Sequence, residues 1–412
     1  MTELKDLRVD GNRLWQSIMA MAEIGPGQHG GSCRLALTDA DRDGRELFLG
    51  WCREIGCSLK VDDMGNLFVR RDGGNPNRDP IASGSHLDTQ PHGGKFDGIY
   101  GVLATLEVFR ALHDADVVTD APLEIIVWTN EEGSRFAPAM IASGVYAGLF
   151  EKEFAWSQTD TDGITLKSEL ERTGYMGDEI CGDHKIAALL EAHIEQGPIL
   201  ERFSDQIGVV QGAQGQRWFD VVIRGQDSHA GSTPMEGRKD ALVASSEIIG
   251  KLQTLALDNA PDAVATVGQL IVSPNSRNTI PGEVSFSVDM RNPDDQVLSS
   301  MNEAFRSFAN EAAAKQSVEI DIQQIWHIPP ILFDEACVAA VESSAVELGY
   351  AHRSIVSGAG HDACQVCQKI PTAMIFVPCA GGLSHNEAES ATLEDLEAGC
   401  NVLLQSILKL AS

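Results

Sequence analysis

Residues 123–132 read LEIIVWTNEE: a short run of apolar and β-branched side chains that passes through a polar turn into two adjacent glutamates. A run of this length and character fits a strand buried on both faces. Two other stretches repeat the arrangement. Residues 81–88, IASGSHLD, end in a histidine and an aspartate, and residues 189–197, LLEAHIEQG, end in His-Ile-Glu-Gln-Gly. Three apolar strands that each stop at a potentially liganding group predict an open α/β sheet with its site at the carboxyl ends of the strands.

Working outward, residues 10–24 and 38–56 show the periodicity of amphipathic helices, the second opened by Thr38 as a capping residue. A strand is predicted at 66–71 and a helix at 98–113. From 213 to 330 the pattern changes to strand 218–224, helix 238–255, strand 263–271, strand 283–290, helix 294–315 and strand 318–326. That is β-α-β-β-α-β, the ferredoxin-like split pattern, and it reads as a module inserted into a larger domain. Alternation then resumes with helix 333–348, strand 371–377 and helix 392–410. The expected organisation is a larger α/β domain in two parts, 1–212 and 331–412, interrupted by the module at 213–330. The acidic stretch around 158–184 reads as a solvated excursion.

Lys and Arg total 31 against 60 Asp and Glu, a net charge of −29. A surface this acidic repels phosphate backbones, which argues against a nucleic-acid partner. No apolar run approaches the ~20 residues that span a bilayer, and the opening MTELKDLRVDG lacks the apolar core of a signal peptide. Nine scattered cysteines fit reduced thiols better than a disulfide framework. A soluble cytoplasmic protein with no membrane partner is expected.

Several residues could carry chemistry. In 84–101, GSHLDTQPHGGKFDGIYG, His86 and Asp88 form an H-x-D pair and Asp97 follows in a glycine-rich loop. A neutral imidazole suits a transition metal, and a nearby carboxylate can orient it or bridge two ions. By itself the loop also fits an ordinary polar turn. Glu131 and Glu132 fit either a solvated pair or a metal ligand beside a general base; a bound dication relieves their repulsion. His193 fits a satisfied core histidine or a ligand. His385 lies in GGLSHNEAES, residues 381–390. The module adds His229 in DSHAGSTP, Asn278 in SRNTIPG and Arg291 in VDMRNPD. An Arg and an Asn on adjacent strands could clamp a carboxylate.

The order of His86, Asp97, Glu131, Glu132, His193 and His385 resembles that of the zinc-dependent aminoacylase/carboxypeptidase-type metallohydrolases, over essentially the whole chain. The stretches GSHLDTQPHGGKFDGIYGVLATLEV and VWTNEEGSRFAPAM resemble the amidase branch, which comprises N-carbamoyl-L-amino-acid hydrolases, β-ureidopropionase and allantoate amidohydrolase. A histidine at 193, where peptidase branches usually place a carboxylate, favours that branch.

The resemblance implies a two-metal, aminopeptidase-like catalytic domain with an inserted lid and dimerisation domain. His86 and His193 would hold one divalent cation, Glu132 and His385 the other, and Asp97 would bridge them. Zinc is the first expectation, with manganese, cobalt or nickel also accepted by such ligands. Glu131 would be the general base and Asp88 the partner of His86. Gln196, His229, Asn278, Arg291 and, in GAGHDA (358–363), His361 would contact a small substrate bearing a carboxylate. In relatives the lid histidine serves the other subunit, so a homodimer is implied. The implied reaction is hydrolysis of the carbamoyl C–N bond of an N-carbamoyl amino acid to amino acid, ammonia and carbon dioxide. Allantoate hydrolysis is the alternative, with an aminoacylase or dipeptidase, or a non-catalytic binder, further removed.

Overall fold

A computed structural model describes residues 4–412, which form two compact units, 4–212 with 333–412, and 213–332. In the larger unit four parallel strands lie side by side in the order Leu123–Trp128, Ile81–His86, Ala188–Ile194 and Thr372–Val377. Every residue of these four strands is buried, which accounts for their largely apolar character, interrupted by Ser83, Ser85, Glu124 and Glu191. Antiparallel strands extend the sheet: Leu67–Arg71 and then Ser58–Val61 beyond 123–128, and Ile207–Ala213 beyond 372–377. His352–Ser357 pairs with the last of these.

Helices Gly11–Ala22, Ile99–Asp114, Glu335–Leu348 and Leu393–Leu410 pack together on one face. The other face holds Ile141–Ala147 and Asp362–Val366, where Trp128, Phe68, Tyr146, Leu189 and Val366 share a core cluster. The stretch expected as a solvated excursion is partly packed. Leu166–Thr173 is a helix whose Leu166 and Leu170 are fully buried. Its acidity is neutralised locally, because Arg135 pairs with Asp160 (3.1 Å) and Glu169 (2.9 Å), and Arg172 with Glu169 (2.7 Å).

The smaller unit is built on antiparallel strands Gly215–Arg224, Glu283–Asn292 and Glu319–Ile328, with 215–224 in the middle. Val264–Thr266 and Leu270–Ser273 both pair with 283–292, so the single strand expected at 263–271 is broken at 267–269. Helices Ala241–Asp258 and Asp295–Lys315 cover one face, burying Phe219, Val221, Phe286, Val288, Ile248 and Phe305 between them and the sheet. Both helices start at an aspartate, Asp240 and Asp294, whose carboxylate accepts from the first-turn N–H groups. The element order is the β-α-β-β-α-β read from the sequence. Among the described residues no helix is long and apolar enough to cross a membrane, and all nine cysteines are free thiols.

Candidate metal centre

The carboxyl ends of the central strands bring the expected ligands together. His86 is the last residue of its strand and His193 the last but one of its own. Asp97 sits in the loop that leads into Ile99–Asp114, Glu131 and Glu132 follow Leu123–Trp128, and His385 lies in the loop before Leu393–Leu410. The turns are tight: Asn130, Gln196 and His385 hold φ of +57°, +56° and +53°, a left-handed conformation that costs non-glycine residues free energy and clusters at functional sites. Gly98 (φ +70°) lies flat against His86; a β-carbon there would fall 2.3 Å from its ring.

One atom each from His86, Asp97 and His193 lies within 4.8 Å of the others, and the same holds for Asp97, Glu132 and His385. The two groups share Asp97. Its Oδ1 is 3.2 Å from His193 Nε2 and 3.8 Å from His86 Nε2, and its Oδ2 is 3.4 Å from His385 Nε2. His385 Nε2 is also 3.4 Å from Glu132. Glu131 lies alongside, 3.5 Å from His86 Nε2.

Hydrogen bonds fix which nitrogen each buried histidine offers. His86 Nδ1 donates to the Asp88 carbonyl and His193 Nδ1 to the Ile194 carbonyl, both at 2.9 Å. Both Nε2 lone pairs therefore point at carboxylate oxygens, the arrangement of metal-binding imidazoles. The Gly98 N–H, 3.1 Å away, donates to His193 Nε2 and reinforces that tautomer.

The charges also call for a cation. Burial pushes Glu131 well above the usual carboxylate range, helped by Asp362, Glu132, Asp97 and Asp88. Burial, Asp97 and Asp88 do the same to Glu132, against the opposing hydrogen bonds of Gln90. Burial lowers His86 to about 4 despite Asp97. Burial also works against His193, but the hydrogen bond and charge of Asp97 would lift it to about 9 wherever no cation is bound, a proton then taking the place on Nε2 that a cation would fill. Carboxylates crowded this closely, facing imidazole lone pairs, fit divalent cations by donor type and by charge.

Three expected residues take other partners. The Asp88 carboxylate does not orient His86; its Oδ1 is 3.9 Å from Nδ1, and the backbone carbonyl does that work. The side chain instead accepts from the Glu131 and Glu132 N–H groups, each at 3.3 Å, and braces the glutamate turn. Gln196 Nε2 donates to Asp97 Oδ2 (2.9 Å) and to Ser384 Oγ (3.1 Å). His361 is only 2% exposed; its ring packs edge-on against His193 at 4.6 Å and its Nε2 is 3.0 Å from Ser357 Oγ. Sequence reasoning did not single out Glu191, which accepts from Ser85 Oγ (2.6 Å) and the Ala363 N–H (2.9 Å), or Gln90, whose N–H and side-chain amide hold Glu132. Gln90 lies inside the 84–101 stretch but is not a liganding residue type; what marks Glu191 is a carboxylate inside a mainly apolar strand.

In the smaller unit, His229 and Asn278 come together because Ser228–His229 pairs with the two-residue strand Thr279–Ile280. His229 Nδ1 accepts from the N–H groups of Gly231 and Ser232, both at 3.1 Å, which leaves the proton on Nε2. Arg291 is not on a strand adjacent to Asn278, as a two-residue clamp would need. It lies on 283–292 in the separate five-stranded sheet, where its guanidinium pairs with Asp289 at 2.8 Å.

The family description "Peptidase family M20/M25/M40" matches residues 82–409. An N-carbamoyl-L-amino-acid amidohydrolase from Rhizobium meliloti is 48% identical over 404 residues, 98% of this chain and 97% of that protein. One from Geobacillus stearothermophilus is 36% identical over 407 residues, covering 98% and 99%. The crystal structure of an amidase of the hydantoinase/carbamoylase family from Burkholderia multivorans matches with a TM-score of 0.96 at 54% identity, over 98% of each chain. The chain belongs to the M20/M25/M40 peptidase family and, within it, stands among the amidohydrolases rather than the peptidases that give the family its title.

Proposed function

We propose that the protein hydrolyses the carbamoyl C–N bond of N-carbamoyl amino acids. The observation that carries this reading is the pair of ligand groups sharing Asp97, with both buried imidazoles presenting Nε2. The 48%-identical amidohydrolase supports the choice of substrate. His86 and His193 would hold one divalent cation, Glu132 and His385 the second, with Asp97 between them; zinc is preferred, and manganese, cobalt or nickel suit the same donors. Bound there, the cations would polarise the ureido carbonyl and acidify a water molecule.

The chain's own residues supply the remainder. Glu131, in a buried acidic pocket, takes the water's proton on its carboxylate and passes it to the leaving nitrogen. Asp88 holds the Glu131 backbone in place for that transfer. His229 has its proton on Nε2, the state needed to donate to the oxyanion. Gln196, Asn278 and Arg291 would bind the substrate, and Arg291 would exchange Asp289 for the substrate carboxylate. Given its burial, His361 acts beneath His193 as a positioning residue. One water and one N-carbamoyl amino acid yield amino acid, carbon dioxide and ammonia. Residues 213–330 would serve as lid and as the contact surface of a homodimer, and the enzyme would work in the cytoplasm.

Ammonia release from N-carbamoyl-L-amino acids, N-carbamoyl-β-alanine and allantoate, beside deacylation of N-acetyl amino acids, tests the assignment. Turnover of a carbamoyl compound above the others is expected. Turnover confined to allantoate moves the enzyme to the allantoate branch, and turnover confined to N-acetyl substrates overturns the reading.

A further inference from the structure

The chemistry above makes no use of Glu387 or Glu389, yet both are committed to the loop that carries His385. That loop is conformationally demanding: Gly381, Gly382 and His385 all have positive φ, at +64°, +66° and +53°. Something outside the loop must hold it. Glu389 is 5% exposed, and its Oε1 accepts from the N–H groups of Phe96 (2.9 Å) and Asp97 (3.2 Å). Its Oε2 is 2.9 Å from Ser384 Oγ, which also lies 3.0 Å from Asp97 Oδ2. One carboxylate therefore grips the backbone of Asp97 and the residue preceding His385. Gly94 makes room for it, since a β-carbon there would fall 2.0 Å from Glu389 Oε1. On the other side of the loop, Glu387 Oε2 accepts from the N–H groups of His29 and Gly31, in a seat that a β-carbon on Gly27 would close to 2.4 Å. Two carboxylates two residues apart thus occupy glycine-lined seats on two separate loops.

We propose that Glu389 is a positioning residue that sets the spacing between Asp97 and His385, and so controls how tightly the Asp97–Glu132–His385 group holds its cation. This rests on the reading of that group as a cation site. The hydrogen bonds that aim first ligands commonly matter about 10–100-fold in metal affinity.

Chelator-treated wild type, E389A, E389Q and G94A would be titrated with Zn²⁺ by calorimetry, and their metal-free thermal unfolding recorded alongside. Wild type should take up two equivalents. E389A should keep one equivalent at wild-type affinity and lose about 10–100-fold on the other. G94A should do the same with its glutamate intact, because the new methyl group occupies the seat. E389Q keeps an acceptor for the Phe96 and Asp97 N–H groups and should stay nearer to wild type. If E389A does not fold, the comparison of E389Q and G94A decides. Wild-type affinity for both equivalents in E389A and G94A overturns the proposal. So does a parallel loss of both equivalents that follows the unfolded fraction, which marks a merely structural role. A wild-type protein that takes up no Zn²⁺ overturns the reading of the centre itself.

Discussion

Glu131 and Glu132 are adjacent in sequence yet differ in surroundings. Glu132 is held by two hydrogen bonds from Gln90 and faces His385 (3.4 Å), as a ligand would. Glu131 has its backbone braced by Asp88 and its carboxylate near His86 at 3.5 Å. E131Q keeps the shape and removes the base, so it should retain metal while kcat falls by about 10²–10⁴-fold. A near-normal kcat would remove Glu131 from that role. Gly98 supports the site differently. In G98A a β-carbon would meet the His86 ring at 2.3 Å, and φ is +70°. That backbone (φ +70°, ψ −47°) lies outside the regions a residue with a β-carbon ordinarily adopts and should cost about 1–3 kcal/mol, and displacement of His86 should release metal. Denaturant titration with metal analysis checks both effects; unchanged stability and metal content would mean the ring can move aside freely.

Among the elements, His184 shows how the sheet margin is tied together. Its Nε2 is 2.7 Å from Glu124 and its Nδ1 is 3.0 Å from Glu179, while its ring stacks on Phe68 at 4.1 Å. Burial lowers its pKa, but the hydrogen bonds and charges of Glu124 and Glu179 outweigh this and raise it above the ordinary imidazole value. A raised folded-state pKa means that the stabilisation is complete below the ordinary value and fades as pH rises through the folded one. H184Q should therefore lose about 1.5 kcal/mol at pH 6 and less at pH 9, by denaturant unfolding at the two pH values. A cost that grows with pH would contradict the pairing. His184 reads from the sequence as surface or structural, because nothing in HKI announces that Glu124, 60 residues earlier, meets it together with the nearby Glu179. The central strands were legible for the opposite reason: burial on both faces leaves a mainly apolar run. His352–Ser357 was not, since it lies at the sheet margin and four of its six residues are not buried. Leu166–Thr173 was hidden by an acidity that the distant Arg135 partly neutralises, through Asp160 and Glu169. The candidate ligands that the structure brings together were legible as residue types in a familiar order. The work of the Asp88 carbonyl and of Glu389 was not, because a sequence does not state backbone direction or which loops meet.

At the scale of the molecule, the larger unit draws its candidate ligands from residue 86 to residue 385, so these groups come together only when both parts of that unit have folded together. A chain of net charge −29 repels an anionic substrate overall, so local positive charge would have to attract it. The account depends on that centre binding cations and on hydrolysis requiring them. Ammonia release from an N-carbamoyl-L-amino acid, measured before chelation, after chelation and dialysis, and after adding back Zn²⁺, Mn²⁺, Co²⁺ or Ni²⁺, tests it most directly. Turnover should vanish on stripping and return with at least one of these ions; full turnover by enzyme that elemental analysis shows to be metal-free would contradict the account.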